Sequence, residues 1–437
     1  MVAAWGSLLV VVALWVQGRG LQELGGVAGG LTSIGRLTGL LSADLLLLQV
    51  LLIARLPWVE RSWGHDALTR KHRLVGLASF DLLLGHLVLI TLGYAALDPQ
   101  RGLLGEAVHL VLDYPGMLLA TAGTLALVMV VVTSIRVARR RLRYESWHLL
   151  HLYAYVGVGL ALPHQLWTGS DFAGRTLASV YWWAAWGVTA TAVVACRLGL
   201  PAWRSWRHRL VVDRVVPEAP GVVSVHLSGR HLDRLPVRAG QFFVFRFRDG
   251  AGWTRGNPYS LSASPDGRTL RITARDLGDG SSRLAQLRPG IRVLVEGPYG
   301  RLTADARTRS RMAVLTAGIG ITPGLAMLSE ASPGEAVLVH RTSAADDRLF
   351  ARELGELSAR GVRVVPVPGR RITGRTSWLP REAAHLDDAT ALRRLVPDLA
   401  ERDVYVCGGA VWANAAAAAA RAAGVPAGQL HIERFSW

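Results

Sequence analysis

Long apolar runs fill the first 200 positions, and short alternating runs fill the remainder. A membrane-crossing helix needs about 20 mostly apolar residues. Six stretches approach that length: 3–16 (short), 37–56, 74–97, 115–135, 148–167 and 177–200. The first has no basic leader before its apolar run, so an uncleaved span is expected rather than a signal peptide. After position 209, "GVVSVHLSG", "QFFVFRF", "TLRITAR" and "RVLVEGPYG" alternate between punctuating Gly, Pro and Asp. Such spacing predicts a small antiparallel barrel. From Arg311 onward, "RMAVLTAG", "EAVLVHR", "VRVVPV" and "RDVYVCGG" are separated by helical stretches, which predicts a parallel sheet with crossover helices. The expected architecture is a multi-domain membrane protein. A six-helix transmembrane bundle occupies 1–200, an antiparallel β-barrel 201–308 and an α/β parallel-sheet domain 309–437.

Charge orients the spans. "RKHR" (70–73), "RVARRRLR" (136–143) and "RSWRHR" (204–209) flank them on one side. The opposite loops, 98–114 and 168–176, hold one arginine each, Arg101 and Arg175. Basic loops stay inside, so both termini and the soluble half are expected in the cytoplasm, on a multi-pass protein of the cell membrane. The formal charge of +17 follows from this topology and an arginine-rich composition in which Lys71 is the sole lysine. No helix-turn-helix, zinc-finger or RNA-binding signature points to nucleic acid. Cys196 and Cys407 stand in different halves, so neither a disulfide framework nor a four-cysteine iron–sulfur cluster is available within this chain.

Four histidines interrupt the apolar runs. His72 and His86 are fourteen residues apart in the third stretch, and His151 and His164 thirteen apart in the fifth. Ionisable groups at such depth are costly and face functional interiors. Fourteen helical residues rise about 21 Å, enough for one site in each leaflet. Two facing imidazoles, twice over, suit the axial positions of two b-type haems, whereas zinc wants more ligands. His72 and His151 would hold the inner iron, and His86 and His164 the outer one. On an unbroken helix, thirteen residues leave His151 and His164 about 140° apart. Gly157, Gly159 and Pro163 offer places to bend. His148 is left between two roles, a haem-propionate contact beside Arg73 and Arg143 or a ligand-free interfacial residue.

Three loops of the soluble half carry candidate chemistry. "RGNPYSLSASPDG" (255–267) offers the flat face of Tyr259 and the hydroxyl of Ser260. "LGDGSSRL" (277–284) clusters glycines and serines where backbone N–H groups can meet phosphate. "LTAGIGITPGLAML" (315–328) follows a strand and opens a helix, and Gly318 and Gly320 let the backbone approach a pyrophosphate. Pro323 takes the last glycine slot of the usual dinucleotide fingerprint.

With these motifs in order, the soluble half resembles the ferredoxin–NADP reductase family through "PYS", "AGIGITP" and "CGG". The membrane half, through "YESWHLLH" and the histidine pairs, resembles the ferric reductase and NADPH oxidase transmembrane family. The resemblance implies an FAD-binding barrel and an NAD(P)-binding α/β domain. Tyr259 would stack on the isoalloxazine, Ser260 would bond near N5, and Asn257 and Pro258 complete that strand. Gly280, Ser281 and Ser282 would hold FAD phosphates. Gly318, Gly320 and Thr322, with Thr316 and Pro323 alongside, would hold the nucleotide pyrophosphate. Cys407, Gly408 and Gly409 would line the nicotinamide pocket, making Ser260 and Cys407 the candidate catalytic residues. Phe435 or Trp437 would cover the flavin. Arg341, after the second strand of the nucleotide domain, would meet a 2′-phosphate and favour NADPH over NADH. Asn257 departs from the oxidases' His-Pro-Phe-Ser and the soluble reductases' Arg-x-Tyr-Ser, with Arg255 as a replacement charge.

The expected function is a bilayer-embedded oxidoreductase passing electrons from cytoplasmic NAD(P)H through FAD and two haems to an extracytoplasmic acceptor. The outer loops set Arg101 and Arg175 against Asp98, Glu106, Asp113 and Asp171. So sparse a positive charge favours oxygen over an anionic ferric chelate. An electron-transfer subunit serving a protein partner and a transporter with proton-relaying histidines are readings of other classes. A reduced-minus-oxidised spectrum separates the transporter from the rest.

Overall fold

The computed structural model describes residues 2–435 except Arg143, 173–174 and 345–348; the side chains of Asp66, Arg136, Arg140, Tyr144, Glu145 and Asp279 are also outside the description. Arg143 and Trp437, both singled out from sequence, therefore lie outside the described residues. Two compact units form, one from Met1–Leu56 with Asp66–Ala195, the other from Pro57–His65 with Cys196–Trp437.

The first unit is helical. Among the described residues, four helices are long and apolar enough to cross a membrane: Val27–Ile53, Ala67–Ala95, Met117–Ser134 and Thr176–His208. The other two expected spans take different forms. Val2–Gln17 is a helix of 16 residues. The stretch 148–167 is divided into Tyr144–Leu160 and Leu162–Trp167. Pro163 explains the break, because its ring would clash with the carbonyl one turn back and it donates no hydrogen bond, whereas a helix's first turn tolerates both. The segment 98–114, expected as a loop, contains the helix Gly102–Asp113, which buries Glu106 and Leu110. Glu106 is held there by Arg101 at 3.0 Å.

Small residues let these helices close on one another. A methyl at Gly123 would stand 2.7 Å from the Gly157 carbonyl oxygen, and one at Gly157 would stand 2.9 Å from the Gly123 oxygen. Backbone thus meets backbone where Met117–Ser134 crosses Tyr144–Leu160. Ser42 and Ser79 exchange hydroxyl-to-carbonyl bonds of 2.7 and 2.8 Å between Val27–Ile53 and Ala67–Ala95. Such reciprocal bonds satisfy polar groups that hydrocarbon cannot.

The second unit has eleven described strands. In chain order they are β1 (Val211–Ala219), β2 (Val222–Ser228), β3 (Phe242–Phe247), β4 (Asn257–Ser260), β5 (Thr269–Arg275), β6 (Val293–Tyr299), β7 (Met312–Ala317), β8 (Ala336–Arg341), β9 (Arg363–Val367), β10 (Asp403–Gly409) and β11 (Leu430–Phe435). Two three-stranded antiparallel sheets, β1-β2-β5 and β4-β3-β6, are joined by the bridges Val211–Arg292 and Leu261–Ile272. In β3, "FFVFRF" buries every second side chain, and Phe243 and Phe245 are fully enclosed with Leu227, Ile272 and Val295. The remaining strands form a parallel sheet in the order β11-β10-β7-β8-β9. β8 is buried at every position and β10 at all but its last. This is the pattern of strands covered by helices on both faces.

Candidate functional site

The histidines of the first unit are aimed by backbone. His72 Nδ1 lies 3.0 Å from the Gln49 carbonyl oxygen, and His86 Nδ1 lies 2.8 Å from that of Gly35. A carbonyl only accepts, so each Nδ1 carries the proton and each Nε2 keeps its lone pair. That is the arrangement in which a second hydrogen bond orients a metal-ligating imidazole. Gly39 supplies the room, since a methyl there would stand 2.6 Å from His86 Nδ1.

One of these rings has a ring partner from across the unit. The His72 and His151 ring centroids are 6.0 Å apart with planes at 65°. Two nitrogen–metal bonds of about 2 Å, plus about 1 Å from nitrogen to ring centre on each side, give about the same span. His151 is positioned by Trp147, 5.0 Å between centroids, and by Ser134 Oγ, 3.4 Å from its Nδ1. His164 lies within electrostatic reach of His86. Its Nδ1 is buried and meets no acceptor in good hydrogen-bond geometry, and the Ala161 backbone is the polar group that acts on the ring. The break at Ala161 puts His151 and His164 on separate helices, so the 140° offset of an unbroken helix does not apply. Among the described residues no group of three or more His, Cys, Asp or Glu could hold a metal. Paired imidazoles therefore fit an iron whose other donors come from a macrocycle, and His72 with His151 and His86 with His164 would hold it.

In the second unit β4 sits against β3, with Tyr259 opposite Phe243 and Ser260 opposite Phe242. Tyr259 packs on Phe245 with centroids 6.4 Å apart, and its hydroxyl donates to the Gly280 carbonyl at 3.3 Å. Burial pushes its phenol up to about 12, so the ring is neutral and apolar across the physiological range. Ser260 is buried, whereas Pro258 and Arg255 are exposed. Asn257 crowds Gly280, where a methyl would stand 2.9 Å from Asn257 Oδ1. The Ser281 and Ser282 hydroxyls both donate to the Gly278 carbonyl, at 3.0 and 2.8 Å. The Ser281 and Ser282 N–H groups donate to the same carbonyl at 3.0 Å each, and the Leu277 and Gly278 N–H groups donate to Ser281 Oγ and Asp276 Oδ1 at 2.8 and 3.3 Å, so the turn is closed on itself.

The ends of β7 and β10 meet at a second cradle. A methyl at Gly320 would stand 2.5 Å from the Cys407 carbonyl oxygen and 2.8 Å from Gly408 Cα. Gly318 takes a left-handed φ of 53°, which favours glycine. Thr322 Oγ1 donates to Ile319 at 3.0 Å within the turn. Pro323 is buried in the first turn of Ile321–Leu328. The buried Thr316 hydroxyl bonds His340 Nδ1 across the sheet at 2.8 Å, a tie between neighbouring strands that the sequence did not signal. Cys407 is fully buried, and burial raises its thiol well above the usual range. Phe435 pairs with Gly409 in register and packs on the cluster containing Cys407. Arg341 is also buried, and its guanidinium donates to the carbonyls of Thr342, Val367 and Arg370. A 2′-phosphate would have to compete with those three acceptors.

Residues 38–162 match the family described as "Ferric reductase like transmembrane component". The match takes in His72, His86 and His151 and stops two residues short of His164. The chain is 32% identical over 211 residues to the ferredoxin reductase component of 3-ketosteroid-9-alpha-monooxygenase from Mycolicibacterium smegmatis, covering 46% of this chain and 57% of that one. It is 29% identical over 249 residues to a flavohemoprotein of Xylella fastidiosa, covering 53% of this chain and 59% of the relative. The chain thus spans less than two thirds of the length of either relative. A ferredoxin NADP+ reductase from Neisseria gonorrhoeae is similar in structure at TM-score 0.44 and 20% identity, covering 52% of this chain and 98% of that one.

Proposed function

We propose that this chain, a ferric reductase-like transmembrane segment fused to a ferredoxin–NADP reductase-like FAD and NAD(P) module, transfers electrons from cytoplasmic NAD(P)H to oxygen across the cell membrane. Two b-type haems and FAD are its resident cofactors. The observation that supports the reading is the pair of carbonyl clasps on His72 and His86, together with the 6.0 Å approach of the His72 and His151 rings. FAD, when bound, takes a hydride from nicotinamide and gives up single electrons, which haem iron carries.

The chain's own residues do the positioning. Tyr259 offers a neutral aromatic face and Ser260 a hydroxyl beside it. The Gly318–Gly320 turn brings backbone N–H groups up to a pyrophosphate. Cys407, kept protonated by burial, lines the nicotinamide end of β10. His72 with His151 and His86 with His164 would hold the two haems, and with two imidazoles committed to each iron the acceptor would take its electron without binding the metal. Glu106 and Asp98 lie 3.0 and 3.6 Å from Arg101, and Arg36 holds Asp171 at 3.0 Å. These pairings leave little free positive charge near the outer loops for an anionic ferric chelate.

The test is kinetic. NADPH consumption by the purified, haem-loaded protein should be faster under air than under argon with ferric citrate. Faster anaerobic turnover with iron would make it a ferric reductase. A reduced-minus-oxidised spectrum without b-type bands would remove the haem reading altogether.

A further inference from the structure

The Ala67–Ala95 span presents two faces of different chemistry. Gly76, Ser79, His86 and Gly93 meet the Val27–Ile53 helix through Gln49, Ser42, Gly39 and Thr32. Nine residues beyond His72, Asp81 stands about half a turn away from that face. It is exposed in the structure and makes no side-chain hydrogen bond or ion pair with a described residue. Leu74, Leu77, Leu84, Val88 and Leu92 are exposed with it and repeat at helical spacing, so one carboxylate sits in the middle of an apolar stripe.

Depth makes this carboxylate conspicuous. Asp81 is fourteen residues from each end of Ala67–Ala95, or about 21 Å of helix. The hydrocarbon core is only about 15 Å deep on each side of its midplane. An aspartate is too short to reach the headgroups from there, and a bare carboxylate facing lipid tails is expensive. No described residue supplies the partner. A second copy joined about a two-fold axis would bring another Asp81 against the first. Arg36, a cation inside the Val27–Ile53 span, is already held by Glu23 and Asp171.

We propose that the Leu74–Asp81–Val88 face docks a transmembrane helix of another protein, one that carries a single arginine or lysine at mid-bilayer depth within an otherwise apolar surface. The cation would bond the Asp81 carboxylate while leucine-sized side chains pack above and below it. The proposal rests on the membrane reading of this helix and not on its cofactors.

The full-length protein in lipid nanodiscs should be titrated with a synthetic leucine–alanine transmembrane peptide bearing one central arginine, and with the same peptide bearing leucine there. Resonance energy transfer reports association. The arginine peptide should bind about tenfold tighter than the leucine peptide, and Asp81→Leu and Asp81→Asn should each abolish the preference. Equal affinity of both peptides for the unmodified protein overturns the proposal, even if either variant fails to fold. So does an Asp81-dependent homodimer that forms without peptide, which would assign the face to a second copy.

Discussion

The imidazole rings of His72 and His151 face each other 6.0 Å apart, from two helices that meet nowhere near them in sequence. Their Nε2 atoms are the free ends of rings held from behind, by Gln49 on one side and by Trp147 and Ser134 on the other. Replacing His151 with alanine should therefore cost about half of the bound haem, because the His86–His164 pair is untouched. Pyridine haemochrome analysis against FAD content checks this. Unchanged stoichiometry would mean that His151 ligates nothing.

Gly39 gives a finer test, because it contacts the His86 ring without being a ligand. Gly39→Val should push that ring away and weaken the His86–His164 iron site by roughly 10–100-fold, as loss of a ligand-orienting contact does. Gly85→Ala, on the histidine-bearing helix in open space, is the control and should keep full haem content. A Gly39→Val protein with two intact haems would show that the cradle is incidental.

The approach of His72 to His151 was legible in the sequence because an imidazole in an apolar run has few bland explanations. The backbone support of the histidines was not. Gln49 and Gly35 act through backbone carbonyls, which every residue has, so nothing in their side chains marks them. The break at Ala161 was half legible, since Pro163 permitted a bend but did not say that the helix would restart. In the soluble half, alternation predicted β3 well because its side chains are buried on one face only, whereas β2 buries the adjacent Ser224 and Val225. The fate of Arg341 was hidden. An arginine after a strand reads the same whether it faces solvent or bends onto Thr342, Val367 and Arg370.

Ser260 can be separated from the membrane chemistry. Ser260→Ala should slow flavin reduction by NADPH in stopped-flow measurements and leave haem content intact. Tyr259→Ala should release flavin as well, because it removes a half-buried ring that packs on Phe245. An unchanged reduction rate in the serine variant would move the flavin site elsewhere.

Arg341→Ala should lower the melting temperature of the soluble module, because the buried Thr342 carbonyl loses the Arg341 donor, at about 1–3 kcal/mol for a group left unsatisfied, while the Val367 and Arg370 carbonyls keep the Thr342 and Arg381 N–H groups. With its guanidinium so engaged, the ratio of NADPH to NADH efficiency should not change. A large drop in that ratio would make Arg341 the coenzyme selector after all.

Cys407 supplies a pH dependence. Burial holds its proton to higher pH than in the unfolded chain. Its contribution to stability is thus full below the ordinary thiol range of about 8.5 and declines as pH rises above it. Thermal unfolding at neutral and alkaline pH, compared with Cys407→Ala, should show a smaller alkaline loss in the variant. Iodoacetamide should label the folded protein slowly even at alkaline pH, and rapid labelling would place the thiol at the surface.

The clasps on His72 and His86 come from one antiparallel neighbour. Gln49 and Gly35 are fourteen residues apart, as are His72 and His86. The Val27–Ile53 helix therefore works as a ruler, with both graduations read at once. Apart from Gly39, whose missing side chain makes room for the His86 ring, a substitution between 35 and 49 that keeps the side chain apolar alters neither graduation. Inserting a single leucine there would preserve hydropathy and helicity, yet it would turn one carbonyl by about 100° relative to the other. Only one histidine could then remain clasped. This stretch should accept many changes of letter and none of length.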